Sequence, residues 1–340
     1  MQTPISVVQL NPQGLASNTG LTEVEAAMVQ LANGSDPHWT GRMARQHLAS
    51  GGKRVRARLA LAAGEAVGVS RGRMVPWAAA VELLHNATLA HDDIQDGDWL
   101  RRGEPTLWVR YGLGQAINIG DLMLMLPTLA VERLDTDPGT RWALARAIAD
   151  RSAETVRGQS LEMSLMDRGG LDWDSYLTAV RGKTGQLLAL PVEGAMLMAG
   201  HDPQTAAKVA EAFIDLGVLF QLQDDVEDLY PDDKERVRGT DLREGKITAL
   251  VVSHLQMFPE SPWLLDLLRS PAAHIDEEAI NRAIETLLSS GSVKKVIDMI
   301  ENLGQQLVDS PVLSEFPRLH GVAIELSHWI AKRATQRTAS

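Results

Sequence analysis

His91-Asp92-Asp93-Ile94-Gln95-Asp96 and Gln223-Asp224-Asp225-Val226-Glu227-Asp228 carry one pattern twice, Asp-Asp-x-x-Asp. On a helix, the first and last acid of each copy lie four residues apart on one face, with roughly 6 Å of rise between them. Like charges at that spacing repel, so the sequence accepts a stability cost that a bound cation recovers. Carboxylates without cysteine or clustered histidine are hard oxygen ligands that suit Mg²⁺, which commonly takes one or two carboxylates plus substrate phosphates. The repeat therefore points to two facing metal-binding walls and to a substrate that carries a diphosphate.

Cations punctuate the same region. In Ser50-Gly51-Gly52-Lys53-Arg54-Val55-Arg56, two glycines allow close backbone approach and three cations follow, a pattern suited to clamping phosphate. Arg101-Arg102-Gly103-Glu104-Pro105 sets two guanidiniums just beyond the first acids, where glycine and proline break the helix. Lys183-Thr184-Gly185-Gln186 is a polar interruption, and the second motif is followed by Lys234, Arg236, Arg238, Arg243 and Lys246. Taken alone, each of these is a solvated charged segment, and Asp121 and Glu162 read as structural or solvated acids.

Composition narrows the function classes. The net charge of −11 over 340 residues argues against broad binding to nucleic acid or an anionic membrane, so an anion site must be local. Without cysteine there is no disulfide framework, thiolate metal site or thiol nucleophile, which is compatible with a reducing, cytoplasmic location. No Lys or Arg precedes Arg42, so the amino terminus reads as neither secretory signal nor transit peptide. No uncharged apolar run reaches membrane-spanning length, so no transmembrane segment is expected.

Apolar spacing and Ala/Leu-rich runs predict helices from residue 21 to about 33, then to 47, and over 58–67, 75–90, 107–132, 141–166, 173–181 and 206–229. More follow over 248–256, 277–289, 293–308 and 319–332. Many helices, short Gly/Pro breaks and no alternating strand pattern predict an all-α single domain, a helical bundle spanning 21–334 between a loose lead-in at 1–20 and a polar tail at 335–340.

In this order the motifs resemble those of the trans-isoprenyl diphosphate synthases, the polyprenyl synthetase family. They read Gly52-Lys53-Arg54-Val55-Arg56, Asp92–Asp96, Arg101–Thr106, Lys183-Thr184, Phe220-Gln221, Asp224–Asp228 and Asp241–Lys246. The resemblance runs from about Gly51 to Lys246 and is closest in pattern to geranylgeranyl diphosphate synthases. It implies a bundle around a deep central cavity, a homodimer, and Mg²⁺ held by Asp92, Asp93, Asp96, Asp224, Asp225 and Asp228, with three ions when substrate is bound. By the same resemblance Arg101, Lys183 and Lys246 hold an allylic diphosphate (dimethylallyl, geranyl or farnesyl). Gly52, Lys53, Arg56, His85 and Arg102 match positions that hold isopentenyl diphosphate, Thr184 and Gln221 lie near the reacting carbon, and Asp225 and Arg236 also face substrate. Two departures stand out: Ala57 replaces the usual proline after the basic loop, and Arg236 stands near a position often held by lysine.

The first motif has two residues between its aspartate pairs, unlike the four of many short-chain bacterial enzymes. Members of the family limit product length with side chains one to three turns before that motif, here Thr88, Ala87, Leu84 and Leu83. The small pair admits a fifteen-carbon chain and the leucines stop a longer one, so the expected product is C20, with C15 and C25 or more as alternatives. The rival functions are a class I terpene cyclase, which would not need the second basic clamp, and a non-catalytic partner subunit, a kind of chain that usually loses motif aspartates.

Overall fold

Runs rich in alanine and leucine, broken by Gly, Pro and Asx residues, become helices in the computed structural model, which describes residues 18–34, 39–166, 171–230, 237–269 and 276–338. In chain order the helices are α1 (Asn18–Asn33), α2 (Trp39–Ala49), α3 (Val55–Ala66), α4 (Arg71–Gln95), α5 (Leu107–Tyr111), α6 (Leu113–Glu132), α7 (Pro138–Ser164), α8 (Trp173–Val180) and α9 (Gln186–Met198). They continue as α10 (Pro203–Asp228), α11 (Thr240–Arg243), α12 (Ala249–Met257), α13 (Pro262–Arg269), α14 (Glu277–Ser289), α15 (Ser292–Val308), α16 (Pro311–Ser314) and α17 (Pro317–Thr338). The fold is all-α, as the sequence predicts.

The described residues form two compact units. One draws on Met1–Asp150, Leu190–Ala210 and Phe316–Leu326, the other on Arg151–Ala189, Glu211–Glu315 and Ser327–Ser340. In the first unit α3 is buried on most sides, from Leu59 to Gly64, which is why its apolar residues show no single stripe. In the second, α14 buries Ile280, Ala283, Ile284 and Leu287, the i, i+3, i+4, i+7 spacing of an amphipathic helix.

Four local features differ from the sequence reading. Among the described residues the only strands are β1 (Leu100–Arg101) and β2 (Glu104–Pro105), an antiparallel pair pairing Leu100 with Pro105 and Arg101 with Glu104. The expected helix over 107–132 breaks at Gly112, whose φ of 84° no helix continues. Residues 181–185, expected as a polar interruption, form a π-helical turn in which the Gln186 N–H donates to the Arg181 carbonyl five residues back. Last, α6 is long and apolar enough by length and composition to cross a membrane, although less than half of it is buried within the protein. It exposes Leu113, Ile117, Met125 and Leu129.

The deepest side chain of the first unit is Trp77 on α4, fully buried, with its indole N–H donating to the Pro191 carbonyl at 3.1 Å. A Cβ at Gly194 would lie 2.0 Å from that ring, so α9 approaches α4 only because residue 194 has no side chain. Gly194→Ala is therefore expected to cost about 1–3 kcal/mol through overpacking. Denaturant unfolding measures this, and a variant as stable as the parent would show that the indole can move aside.

Candidate active site

Each acidic motif lies at the carboxyl end of its helix. Asp92 and Asp93 fall in the last turn of α4 with Asp96 as its C-cap, and Asp224, Asp225 and Asp228 end α10. The macrodipole is negative there, so the acids repel both one another and the helix end. This placement deepens the demand for a cation that the spacing already implies.

In the first unit, burial raises the Asp93 carboxyl to about 6 against the opposing pull of Arg101. Arg101 donates to Asp93 Oδ1, while Asp93 Oδ2 is buried without a hydrogen-bond partner. The two-strand hairpin explains how Arg101 gets there. Its turn residues Arg102 and Gly103 have φ of 56° and 80°, the signs of a type I′ turn. Arg101 therefore stays on the strand and returns to Asp93, while Arg102 at the tip reaches the Gly51 carbonyl.

Gly52 makes that reach possible: a Cβ there would lie 2.7 Å from the Arg102 guanidinium, and its φ of 130° suits glycine. The basic loop and the arginine pair are thus one assembly. Arg54 and Arg102 are the only described non-glycine residues with positive φ. That conformation costs on the order of 1–2 kcal/mol per residue, and such strain concentrates at functional sites.

Of the three loop cations, Arg54 turns inward, donating to the Leu48 carbonyl at 2.6 Å and pairing with Glu25 and Glu82. Lys53 is exposed. Burial lowers Arg56 to about 10 against the raising effect of Glu82 and Asp92, and its Nε has no partner. His85 lies well below the ordinary imidazole range through burial first and then Arg56, Arg102, Arg101 and Arg54. His47 is lowered to about 4 through burial, Arg101, Arg102 and Arg54, with a raising contribution from Asn86. Two neutral imidazoles among four guanidiniums leave a local excess of positive charge in an acidic protein. Of the expected length-setting residues, Leu83, Leu84 and Ala87 are buried and Thr88 is half-buried.

In the second unit, Asp225 accepts from the Tyr176 hydroxyl at 2.6 Å, the Ala249 N–H at 2.6 Å and the Gln221 amide at 2.9 Å. Burial nonetheless raises its carboxyl to about 6. Gln221 also accepts from Thr184 at 3.2 Å, joining two expected site residues. Asp228 accepts from the N–H groups of Thr240 and Asp241, yet burial raises it to about 6 as well. Asp241 is pushed well above the carboxylate range by burial, then by Asp228 and Asp225, with Lys246 opposing. Asp224 is exposed.

Lys183 is carried by the π-turn and pairs with Glu162. The turn packs directly on α7, since a Cβ at Gly158 would lie 2.2 Å from the Lys183 nitrogen. Lys246 pairs with Glu244 at 2.7 Å, and Arg243 is taken up by Glu277. Arg236 lies outside the described residues. The sequence reading missed Tyr176, Glu82 and the partnership of Glu162 with Lys183. Glu82 alone left a signal, as a single acid in the otherwise uncharged stretch 77–90.

Among the described residues no three acids or imidazoles already converge on one point. That fits a hard divalent ion completed by substrate oxygens rather than by a closed protein cage. Asp93, Asp225 and Asp228 sit above their ordinary value of 3.8, so the metal-free folded chain keeps protons that the unfolded chain releases. Metal-free stability is therefore expected to fall as pH rises from about 4 to about 6 and then level off. Mg²⁺, which competes with those protons, is expected to protect more at pH 7.5 than at pH 5. Urea melts with and without Mg²⁺ measure both effects, and Asp225→Asn should flatten the metal-free slope.

Comparison with known proteins follows the same lines. The pattern of the polyprenyl synthetase family matches residues 37–287. A geranylgeranyl diphosphate synthase of Methanosarcina mazei is 31% identical over 290 residues, 85% of this chain and 86% of that protein. A (2E,6E)-farnesyl diphosphate synthase of Mycobacterium bovis is 32% identical over 305 residues, 81% of this chain and 83% of its own. The solved structure of a polyprenyl synthase from Caulobacter crescentus, complexed with calcium and isoprenyl diphosphate, matches with a TM-score of 0.80 at 25% identity, covering 96% of this chain and 99% of that one.

Proposed function

Since this chain belongs to the polyprenyl synthetase family, we propose that it joins isopentenyl diphosphate head-to-tail to an allylic diphosphate and releases an all-trans C20 product. It is a trans-prenyltransferase. The observation that carries the fuller reading is the coexistence of two acidic helix ends with a separate arginine cluster, since a reaction between two diphosphates needs sites for both.

Each acidic motif is a set for Mg²⁺ and diphosphate: Asp92, Asp93 and Asp96 in one unit, Asp224, Asp225 and Asp228 in the other, with three ions when substrate is bound. Magnesium supplies charge neutralisation for the departing pyrophosphate. Arg101, Lys183 and Lys246 add fixed positive charge against the same leaving group, and Thr184 and Gln221 orient the reacting carbon. Lys53, Arg56, Arg102 and the neutral His85 hold isopentenyl diphosphate, with Gly52 opening the approach. Pyrophosphate itself accepts the final proton, so no side-chain nucleophile is required.

Product length is set along α4. Ala87 and Thr88 lie within about two turns of Asp92, roughly 6–8 Å of rise, and carry no bulk, whereas Leu83 and Leu84 lie about another turn below. The relatives named above include a C20 and a C15 synthase, so the leucine floor decides between them. The exposed apolar residues of α6 support the homodimer, with a second copy covering Leu113, Ile117, Met125 and Leu129.

With Mg²⁺, isopentenyl diphosphate and dimethylallyl, geranyl or farnesyl diphosphate, mass spectrometry is expected to show a C20 product. A longer product places the floor deeper, C15 places it higher, and no elongation with any primer returns the cyclase or partner-subunit reading. Thr88→Phe is expected to shorten the product, and unchanged length would remove the proposed floor. Met125→Glu with Leu129→Glu is expected to give monomers in sedimentation, and an unchanged dimer would exclude this face as the interface.

A further inference from the structure

Glu82 is the one acid in the stretch 77–90 of α4, and it is only 3% exposed. A carboxylate buried beneath an anion-binding cluster weakens the field that attracts phosphate, so its presence there calls for a role that the chemistry of the ligand does not supply. Its contacts give one. Oε2 accepts the backbone N–H of Ala57 at 3.2 Å, and Oε1 pairs with Arg54 at 3.6 Å. The carboxylate also lies near enough to Arg56 and Arg102 to favour their charged forms.

The Ala57 N–H belongs to the first turn of α3, where the helix offers its own donors no partner. Arg54 caps that helix in a left-handed conformation without a side-chain capping bond. Glu82 thus reaches across from α4 to cap α3 and at the same time neutralises the most buried of three mutually repelling arginines. The bond from residue 57 depends on Ala57 standing where the resemblance expects proline, since proline has no N–H to donate.

On the reading that the loop at 50–56 binds isopentenyl diphosphate, we infer that Glu82 is the positioning residue of that clamp: it touches no substrate and fixes the loop in its phosphate-binding shape through Arg54 and Ala57. The position of the cations then matters more to binding than the unit of charge that Glu82 removes.

The sign of one measurement separates these effects. Glu82→Gln keeps the size of the side chain and an acceptor for Ala57 but loses the ion pair. A positioning role raises KM for isopentenyl diphosphate about tenfold, the scale of a lost charge-assisted bond, while KM for the allylic substrate and kcat stay within about twofold. Calorimetric titration with isopentenyl diphosphate alone should show the same loss of affinity. An unchanged or lower KM for isopentenyl diphosphate overturns the inference. Lys53→Ala is run beside it: a raised KM there with none in Glu82→Gln rejects Glu82 alone, and no change in Lys53→Ala rejects the clamp and this inference together. If Glu82→Gln does not fold, Glu82→Gln with Arg54→Gln leaves no buried unpaired charge and carries the same expectation.

Discussion

Negative charge gathered at the negative end of a helix is the constraint from which the other features follow. Three carboxylates end α4 and three end α10, each group in a place where helix dipole and mutual repulsion both oppose it. Burial opposes it further, which is why Asp93, Asp225 and Asp228 all hold protons about two pH units beyond an ordinary aspartate. A chain organised this way is most at ease with cations beside it, and much of the surrounding structure supplies or directs them.

The middle acid of each motif is treated alike in the two units. Asp93 is engaged by Arg101, and Asp225 by Tyr176, Gln221 and the Ala249 N–H, so each is fixed from the protein side. The acids around them are more exposed. A tethered centre with more open neighbours keeps a carboxylate group ordered before any ion arrives, which reduces the reorganisation that binding would otherwise require. The cationic side uses a different device: two left-handed arginine backbones around Gly52, held by hydrogen bonds and by Glu82.

What could be read from the sequence was whatever depends on spacing along one element. The acids of Asp92–Asp96 share a face because of helical pitch alone, and the long helices follow from alanine and leucine content. The hairpin at Leu100–Pro105 escaped because two-residue strands show no alternation, and its Gly103 and Pro105 read equally well as helix breakers. The π-turn escaped because Lys183-Thr184-Gly185 has the composition of a loop. Tyr176 lies 49 residues from Asp225, and Glu82 lies 25 from Ala57; contacts at that range leave no periodic trace.

The π-turn at Arg181–Gly185 has a consequence for how such a chain can change. A π-turn is an α-helix with one residue too many, so deleting a single residue there would let α8 run into α9 as one regular helix. Everything beyond the deletion would then rotate by roughly 100° about the helix axis. Lys183 would leave Glu162, and the Thr184 hydroxyl would leave Gln221, although no side chain had been substituted. Selection at this position therefore acts on the number of residues as much as on their identity, and a one-codon loss here would be more damaging than most point changes nearby.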